Sequence, residues 1–376
     1  MATIRDVARL AGVSIATVSR VFNNSPRVSE ESARRVRAAA TRLDYWPNTG
    51  ARSLTTSRTH ALGVLLPDLF GEFFSEVIRG IDHAAREEKL QILVSSSHAD
   101  TGELVTAARA MRGRIDGLIA MVPDNGAGSE IQQIVRRFPV VFMNPRTKMN
   151  GCNTVSIANY DGARAVVEHL VGLGHTRIAT IRGPKGNADA EQRLRGYRDA
   201  LRAAGQMPEP KLELQGDFTE RSGFQCCAEL LHLEPRPSAV FAANDYMAIG
   251  LLSALRDAGI DVPKAMAVTG FDDIAFARYL DPALTTVHVD AYGLGEQATR
   301  SLVPFMRASR PSRCTHIVLP ATLAVRSSCG AADAPQAGPI RRRRRETEPV
   351  PVKGKAPLRV RSPSPTMRRP RGKAGV

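Results

Sequence analysis

The feature that most constrains the fold lies at the amino end, where two short helices are predicted with a tight turn between them. Thr3 and Asp6 have the spacing of a capping box, and the apolar residues after them recur on one helical face. Gly12 predicts the end of the first helix, and Ser14 can cap a second helix over about 15–22. The spacing therefore predicts a helix-turn-helix.

The second predicted helix has one face toward a core and one toward solvent. Val18, Val21 and Phe22 share the inward face at i, i+3 and i+4. The outward residues, which are the candidates for base contacts, are Ile15, Ala16, Ser19 and Arg20. Arg20 can donate two hydrogen bonds to a guanine, whereas Ile15 offers only apolar contact to a thymine methyl. The alternative is a small three-helix bundle in which Arg20 is merely solvated.

A third helix is expected to begin after Ser29, because Glu30 and Glu31 then lie in its first turn, where the helix dipole favours acids. Its exposed face is rich in arginine. We expect residues 1–46 to form a headpiece and residues 47–58 a hinge and linker, a segment too short to persist alone as a helix in water.

Residues 3–54 resemble the DNA-binding headpiece and hinge of the LacI/GalR family of bacterial transcription regulators. The resemblance implies that the hinge orders on operator DNA in a dimer and that Leu54 wedges into the minor groove, which kinks the duplex. The alternative for Leu54 is an ordinary linker residue. The implied DNA contacts are Thr3, Ser14, Ile15, Ala16, Thr17, Ser19, Arg20, Asn23, Asn48, Ala51, Arg52 and Leu54.

The charge of the chain is concentrated at its two ends. The 376 residues carry a formal charge of +15. Residues 1–58 hold 10 Lys and Arg against 4 Asp and Glu, residues 331–376 hold 13 against 3, and the middle holds 29 against 30. This asymmetry favours nucleic acid as a partner of the basic ends and a receptor for a neutral ligand between them.

The cysteines and the apolar segments exclude several classes of protein. The five cysteines lack zinc-ligand spacing, and the adjacent Cys226 and Cys227 are expected inside a helix as small apolar residues. The chain starts without an apolar signal segment and has no apolar run that approaches a membrane span. We therefore expect a cytoplasmic protein with no metal site, no cofactor and no membrane partner.

From residue 60 onward, short apolar runs alternate with helical stretches. The first series of strands is predicted at 61–67, 90–94, 117–121 and 140–143, and the second near 155 and at 177–181, 237–241 and 266–270. Helices are predicted between them, among others at 73–89, 104–112, 161–173, 192–204 and 248–258. This succession predicts α/β architecture with two doubly wound parallel sheets and a cleft at the carboxyl ends of their strands.

This body resembles the periplasmic-binding-protein-like effector domain of the same family, most of all its GalR-like members. The segments that carry the resemblance are 67–74, 172–178, 189–197, 244–245, 270–273 and 282–287. Together with the headpiece they cover residues 3 to about 328. The resemblance implies an effector-binding and dimerisation domain over 59–330.

The resemblance also implies a set of effector contacts, namely Phe73, Phe74, Arg146, Asn187, Asp189, Arg193, Phe218, Asn244 and Asp272. Asp272 and Arg193 can accept and donate paired hydrogen bonds to vicinal hydroxyls, and Phe218 or Phe73 offers an apolar face for a sugar ring. A carbohydrate is therefore the expected effector, with a purine or an amino acid as alternatives. Ala158 stands where relatives often have Asp, so one ligand-facing carboxylate is expected to be missing.

Residues 331–376 fall outside the family pattern. Five consecutive arginines at 341–345 are followed by a Pro-rich, strongly cationic segment that cannot bury a core and is predicted to be disordered. Our hypothesis is that this tail adds non-specific contacts to DNA phosphates. The alternative is a solvated extension without function.

Together these features predict a dimeric transcription repressor that binds a palindromic operator in double-stranded DNA under the control of a small molecule. The resemblance to family members that have the residues of Ala16 and Arg20 at these positions implies a palindrome with a central CG step. A transporter's solute receptor shares the two-lobed fold, but the headpiece and the missing signal segment argue against it. An enzyme is not expected, because no nucleophile elbow, Walker A loop or dinucleotide fingerprint occurs, and residues 183–186 match a phosphate cradle only weakly.

Overall fold

A computed structural model of the chain describes residues 2–23, 25–46, 58–122, 128–146, 151–307 and 314–331. Most of the predicted hinge lies outside these residues, and with it the candidate DNA contacts Asn48, Ala51, Arg52 and Leu54. The predicted disordered tail lies outside them as well, except for Ala331.

Three helices form the headpiece: α1 (Ile4–Ala11), α2 (Ile15–Phe22) and α3 (Glu30–Arg42). The predicted capping box is confirmed, since Thr3 N donates to Asp6 Oδ2 at 3.0 Å and Asp6 N donates to Thr3 Oγ1 at 3.4 Å. Gly12 ends α1 with a positive φ of 62°, a conformation that few other residues adopt without strain. A small core joins the three helices, formed by Val7, Ala8, Ala11, Val18, Val21, Val36, Ala39 and Ala40.

The body of the chain alternates strands and helices as predicted. The first series is β1 (Ala61–Leu66), α4 (Glu72–Glu87), β2 (Gln91–Ser96), α5 (Thr101–Ala110), β3 (Gly117–Met121), α6 (Gly128–Val135), β4 (Val140–Met143) and β5 (Asn153–Ile157). The second is α7 (Asn159–Gly172), β6 (Ile178–Arg182), α8 (Ala188–Ala203), β7 (Glu213–Gln215), α9 (Glu220–His232), β8 (Ala239–Ala242), α10 (Asp245–Asp257) and β9 (Ala267–Thr269). The chain ends with β10 (Thr286–Val289), α11 (Ala291–Arg307), β11 (His316–Leu319) and β12 (Ala321–Ala324).

These strands build two parallel sheets, one in each lobe. The first lobe has the strand order β11-β5-β4-β3-β1-β2, and the second has β7-β6-β8-β9. The order runs outward from a central strand in both directions, so the prediction of doubly wound parallel sheets is confirmed. β10 and β12 form an antiparallel ribbon. Two isolated bridges, Thr269 to Thr285 and Asp272 to His288, connect this part of the chain to the end of β9 and the residues after it.

Two helices of the second lobe begin earlier than predicted because asparagines cap them. α8 begins at Ala188 and not at residue 192, since Asn187 Oδ1 accepts from Ala190 N at 3.0 Å. α10 begins at Asp245 and not at residue 248, since Asn244 Oδ1 accepts from Met247 N at 3.0 Å. The predicted placement of Cys226 and Cys227 inside a helix is confirmed, because both are buried in α9.

One apolar core runs through both lobes. It includes the buried faces of β1, β3 and β4 from the first lobe and reaches Ile178, Tyr197, Phe241 and Phe271 in the second. Tyr197 is fully buried and donates its hydroxyl to Ile178 O at 2.7 Å, which satisfies the only polar atom of its ring. None of the described helices is both long enough and apolar enough to cross a lipid bilayer.

We expect a single methyl group to destabilise the second lobe where α9 crosses α10. A Cβ at Gly250 would lie 1.9 Å from Glu220 O, and one at Gly223 would lie 2.0 Å from Met247 O, so the two backbones touch. Gly250→Ala should therefore lower the free energy of unfolding by about 1–3 kcal/mol.

The matched control is Gly172→Ala, at the last residue of α7, where an added Cβ meets no atom within 4 Å. This substitution should leave stability unchanged or raise it by up to about 1 kcal/mol, because Ala favours the helix. Urea unfolding followed by circular dichroism measures both variants. Equal midpoints for the two would contradict the close crossing of α9 and α10.

Candidate functional site

The turn between α1 and α2 presents the amino end of α2 to solvent. Ser14 caps α2 by accepting from Thr17 N at 3.1 Å, and its hydroxyl also lies 2.9 Å from Thr17 Oγ1. Val18 and Val21 are buried, which fixes the rotation of the helix. The short helix therefore offers one defined face to a ligand.

The exposed face of α2 carries the residues predicted for base contacts. Ile15, Ala16 and Arg20 are all exposed, with Ile15 at 45%, so they lie on the outward face that the pattern predicts. Ser19 is only half-buried and accepts a 3.5 Å hydrogen bond from Asn23 Nδ2, so it is less free than the pattern predicts. An arginine and two small or apolar groups on one exposed helical face match what is needed to read base edges in a major groove.

The headpiece adds further cations around this face. The arginines of α3 at 34, 35, 37 and 42 are exposed, and none of them has a carboxylate partner among the described residues. Thr3 is committed to the start of α1, where its hydroxyl donates to Asp6 Oδ2 at 2.7 Å. The headpiece thus combines a rigid helical reader with a basic surface suited to phosphates.

A cavity of about 520 Å³ lies where the carboxyl ends of strands from both lobes meet. Its walls include the segments that follow β1, β2, β6, β7, β8 and β9. Eight predicted effector contacts line it: Phe73, Phe74, Asn187, Asp189, Arg193, Phe218, Asn244 and Asp272. The ninth, Arg146, does not line it and pairs instead with Glu191, with 2.7 Å between Nη2 and Oε2.

The guanidinium of Arg193 is the centre of this cavity's polar wall. The residue is only 4% exposed. Its Nε donates to Asn159 Oδ1 at 2.8 Å, its Nη1 donates to Ala243 O at 2.6 Å, and its Nη2 lies 3.2 Å from Asp272 Oδ1. The guanidinium carbon also stands 3.7 Å from the centroid of the Phe271 ring. Arg193 is therefore fixed by contacts on several sides and has little freedom to reorient.

The two aspartates beside Arg193 differ in how their oxygens are used. Both oxygens of Asp189 accept hydrogen bonds, from Asn144 Nδ2 at 2.9 Å and from Asn159 Nδ2 at 2.8 Å. Asp272 Oδ1 is buried and has no hydrogen-bond partner among the described residues, although it lies within ion-pair distance of Arg193. A buried acceptor without a donor favours a ligand that supplies one.

Burial controls the charge of these carboxyls. Burial raises the pKa of Asp272 to about 6, against the opposing effect of the Arg193 charge, and nearby Asp189 raises it further. Burial likewise raises the pKa of Asp189.

Phe218 and Asp272 hold positive φ angles of 73° and 112°, which non-glycine residues rarely adopt. Strained backbone and shifted pKa values coincide at this cavity, as is typical of functional sites.

Several residues of the site were not predicted from the sequence. Asn144 and Asn159 each donate a hydrogen bond to Asp189, and Asn159 also accepts one from Arg193. Asn159 directly follows Ala158, the position where a carboxylate was expected to be missing. The cavity is further lined by Asp68, Phe70, His98, Asp217, Glu220 and Tyr246. The sequence signal that could have identified these residues is their position, because most of them lie just after a strand of a parallel sheet.

One edge of the cavity joins the two lobes directly. At the amino end of α4, Glu72 N donates to the hydroxyl of Tyr246 at 3.0 Å, and Glu72 Oε1 accepts from Ala275 N at 2.7 Å. Phe70 packs near Tyr246, with 6.3 Å between ring centroids. The backbone of the first lobe is thereby tied to two segments of the second.

The fold and these two sites define a class of protein: a helix-turn-helix headpiece followed by a two-lobed ligand-binding domain. Comparison with known proteins agrees. Residues 3–48 match the model for bacterial regulatory proteins of the lacI family, and residues 167–329 match the model for a periplasmic binding protein-like domain. The ribose operon repressor of Escherichia coli (strain K12) is 37% identical over 305 residues, which cover 81% of this chain and 92% of that protein.

Two solved structures extend the comparison. The lac repressor dimer bound to operator and the anti-inducer ONPF matches with a TM-score of 0.77 and 30% identity, over 88% of this chain and 99% of that one. The complex of the transcriptional regulator CelR with cellobiose matches with a TM-score of 0.64 and 32% identity, over 87% and 100%. This chain belongs to the LacI family of bacterial regulatory proteins.

Substitution of Asp272 by Asn should change how stability depends on pH. A carboxyl whose pKa is raised by folding contributes stability below its unfolded value, about 3.9, and this contribution is lost as pH rises. For Asp272 the loss should occur as pH rises through about 6. Between about pH 4 and 6, wild-type thermal stability should therefore fall more steeply than that of D272N.

Thermal unfolding at a series of pH values measures this difference. The control is Asp257→Asn, an exposed residue at the end of α10 that should keep the wild-type slope. Parallel pH profiles for wild type and D272N would show that the folded environment of Asp272 does not raise its pKa.

Proposed function

We propose that this protein is a dimeric transcription repressor that acts in the cytoplasm, binds a palindromic operator in double-stranded DNA and responds to a neutral carbohydrate in the cleft between its lobes. The observation that carries the proposal is the fixed pair of Arg193 and Asp272 in the cavity between the lobes, in a chain that also has a DNA-reading headpiece. The relatives named above are transcription regulators, and we infer no catalytic activity.

For the headpiece, we assign base reading to Arg20, Ile15 and Ala16, because these side chains are exposed on one face of α2. Ser14, Thr17, Ser19, Asn23 and Thr3 would contact or position phosphates near the ends of α1 and α2. We keep Asn48, Ala51, Arg52 and Leu54 as proposed minor-groove contacts of the hinge. Two headpieces related by a two-fold axis would read the two halves of a palindrome.

The charge of the cleft favours a ligand without negative charge. Five carboxylates line it: Asp68, Asp189, Asp217, Glu220 and Asp272. Among the described lining residues Arg193 is the sole arginine or lysine, and its nitrogens are already engaged. A phosphorylated or carboxylated ligand would therefore enter a field of like charge with no free cation to receive it.

The shape and chemistry of the lining favour a carbohydrate within the neutral ligands. Asp272 Oδ1 has the ion-pair contact with Arg193 Nη2 but no well-aligned hydrogen bond from a described residue, and a sugar hydroxyl can donate to this carboxyl. Aromatic rings of Phe73, Phe74 and Phe218 offer apolar faces to a sugar ring. The CelR relative was solved with a carbohydrate, cellobiose. The volume of about 520 Å³ is sufficient for a sugar of one or two rings.

A surface of the second lobe supplies the proposed dimer contact. Phe276 and Tyr279, on the 3₁₀-helix Ala275–Tyr279, are 68% and 78% exposed. Large aromatic side chains left in water are typical of protein interfaces. A lac repressor dimer is among the matched structures. Sedimentation velocity at micromolar concentration tests this assignment, and a purely monomeric species would contradict it.

We expect Arg20→Gln to remove base preference at one position of each half-site, at a cost of about 1–3 kcal/mol, because a bidentate contact to guanine is lost. Selection of bound sequences from random duplexes measures this directly. Wild type should return a palindrome with a central CG step.

Arg34→Gln is the control, since it removes the same charge from an exposed site of the headpiece outside α2. It should weaken binding evenly across sequences. A selected motif that is identical for wild type and R20Q would exclude Arg20 as a base reader. Selection of no motif by wild type would contradict the proposed repressor itself.

We expect D272N to weaken binding of the cognate sugar at least about tenfold, because a charged acceptor for ligand hydroxyls is lost. Calorimetric titration of wild type with a panel of neutral mono- and disaccharides identifies the ligand, and the same titration is repeated with D272N and the D257N control. A sugar phosphate that displaces the neutral sugar and binds more tightly would contradict the proposed ligand class.

A further inference from the structure

A second concave surface, distinct from the cleft, lies on the outside of the second lobe. It has a volume of about 460 Å³ and is bounded by the end of β6, the loop 183–186, the exposed side of α8 and Gln215. We call it the basic groove. Its cationic lining residues are Arg182, Lys185, Arg195, Arg198 and Arg202, against one acid, Glu191.

Several of these charges are already compensated. Arg198 makes two hydrogen bonds to Glu213, at 2.7 and 2.5 Å, and Arg202 pairs with Asp199 at 2.7 Å. Glu191 pairs with Arg146, which does not line the groove. The acid of the groove therefore neutralises none of the groove's own cations.

Three cations remain without a carboxylate among the described residues. Arg182 ends β6, and its buried Nε has no hydrogen-bond partner there. Arg195 lies over the ring of Tyr160, 4.5 Å from its centroid, and Lys185 projects from the exposed loop. A buried guanidinium nitrogen that lacks an acceptor is costly, and an anion in the groove would offset this cost by its attraction to the Arg182 charge.

The loop 183–186 is shared between the basic groove and the cleft. Pro184 lines both. Gly183 packs so closely on the Phe218 ring that a Cβ there would lie 2.4 Å from the ring's atoms, and Phe218 lines the cleft. Gly183 O also accepts from Gln215 Nε2 at 2.9 Å, and Gln215 lines the groove. Any ligand that moves this loop is therefore in mechanical contact with the effector site.

We propose that the basic groove binds a phosphate monoester of a small metabolite, and that this second ligand acts on the effector cleft through the loop 183–186. The groove and the cleft differ in charge. The groove has three cations without a carboxylate partner among the described residues, whereas the cleft has carboxylates and one arginine that is already engaged. A dianionic phosphate matches three cations that line one concave surface and have no carboxylate partner among the described residues. The inference is independent of which sugar binds the cleft.

Hydrogen–deuterium exchange of the full-length protein tests the proposal, with inorganic phosphate and ribose 5-phosphate as probes and chloride at equal ionic strength as reference. We expect added protection in peptides that cover residues 182–190 and 216–220. The headpiece also attracts anions, but its peptides are read separately in the same experiment. A response to ribose 5-phosphate that exceeds the response to phosphate identifies an organic monoester as the ligand, whereas equal responses identify free phosphate.

The charge-removal variant is R182Q/R195Q, and it should raise the apparent Kd of the probe at least about tenfold. Because Arg182 is partly buried, K185Q/R195Q serves as a second variant that leaves β6 intact, with the same direction expected. The matched control R221Q/R256Q removes two exposed arginines of the same lobe outside the groove and should bind as wild type does. Protection confined to the headpiece, or equal affinities for wild type and both groove variants, would overturn the proposal.

Discussion

The buried guanidinium of Arg193 is the interaction on which the rest of the ligand-binding domain depends. It extends from α8 to the start of α7, to the segment after β8 and to the segment after β9, where it meets Asn159, Ala243 and Asp272 in turn. A buried ion pair is only weak evidence for stability, because desolvation offsets much of the attraction. Its value here is specificity: three separate chain segments have to converge before the charge is satisfied, which fixes the cavity wall in one geometry.

The same arrangement explains why the cavity can report on a ligand. Both oxygens of Asp189 accept hydrogen bonds from asparagines, whereas Asp272 Oδ1 has only its ion-pair contact with Arg193 and no well-aligned hydrogen bond among the described residues. A hydroxyl group of the ligand would therefore complete the hydrogen bonding of this cavity wall. Because one edge of the cavity ties Glu72 to Tyr246 and Ala275 across the lobes, a ligand that alters the distance between the lobes must strain or relax those hydrogen bonds. Differential contact of this kind is what allows a ligand to shift a conformational equilibrium.

Much of the fold could be predicted from the sequence, because its signals are local. The capping box at Thr3, the cap at Ser14 and the buried runs of β1, β3 and β4 each specify their own element. α8 and α10 start earlier than the sequence predicts because Asn187 and Asn244, which the resemblance assigns to the effector, also cap these helices. The hydrogen bonds of both Asn side chains show that a residue after a strand can cap a helix and also line the ligand cavity.

The parts of the site that could not be predicted are those that depend on contacts between distant segments. Asn144 follows β4 and Asn159 begins α7 without any pattern that marks them, yet both donate hydrogen bonds to Asp189 on α8. Likewise, Arg182 is an unremarkable residue at a strand end until its surroundings show that its Nε has no acceptor. The periodicity of apolar residues indicates which face of a helix or strand is buried. A polar network depends instead on which strand ends lie together in the folded protein.

The distribution of charge constrains how the parts of this protein can communicate. A neutral effector brings no charge, and charges separated by more than about 8 Å of physiological solution are largely screened from each other. An electrostatic signal from the cleft to the DNA is therefore excluded for a sugar, and the coupling has to be mechanical. Between the two lobes, the shared apolar core and the hydrogen bonds of Glu72 supply such a path, because close-packed interiors transmit displacement and do not absorb it.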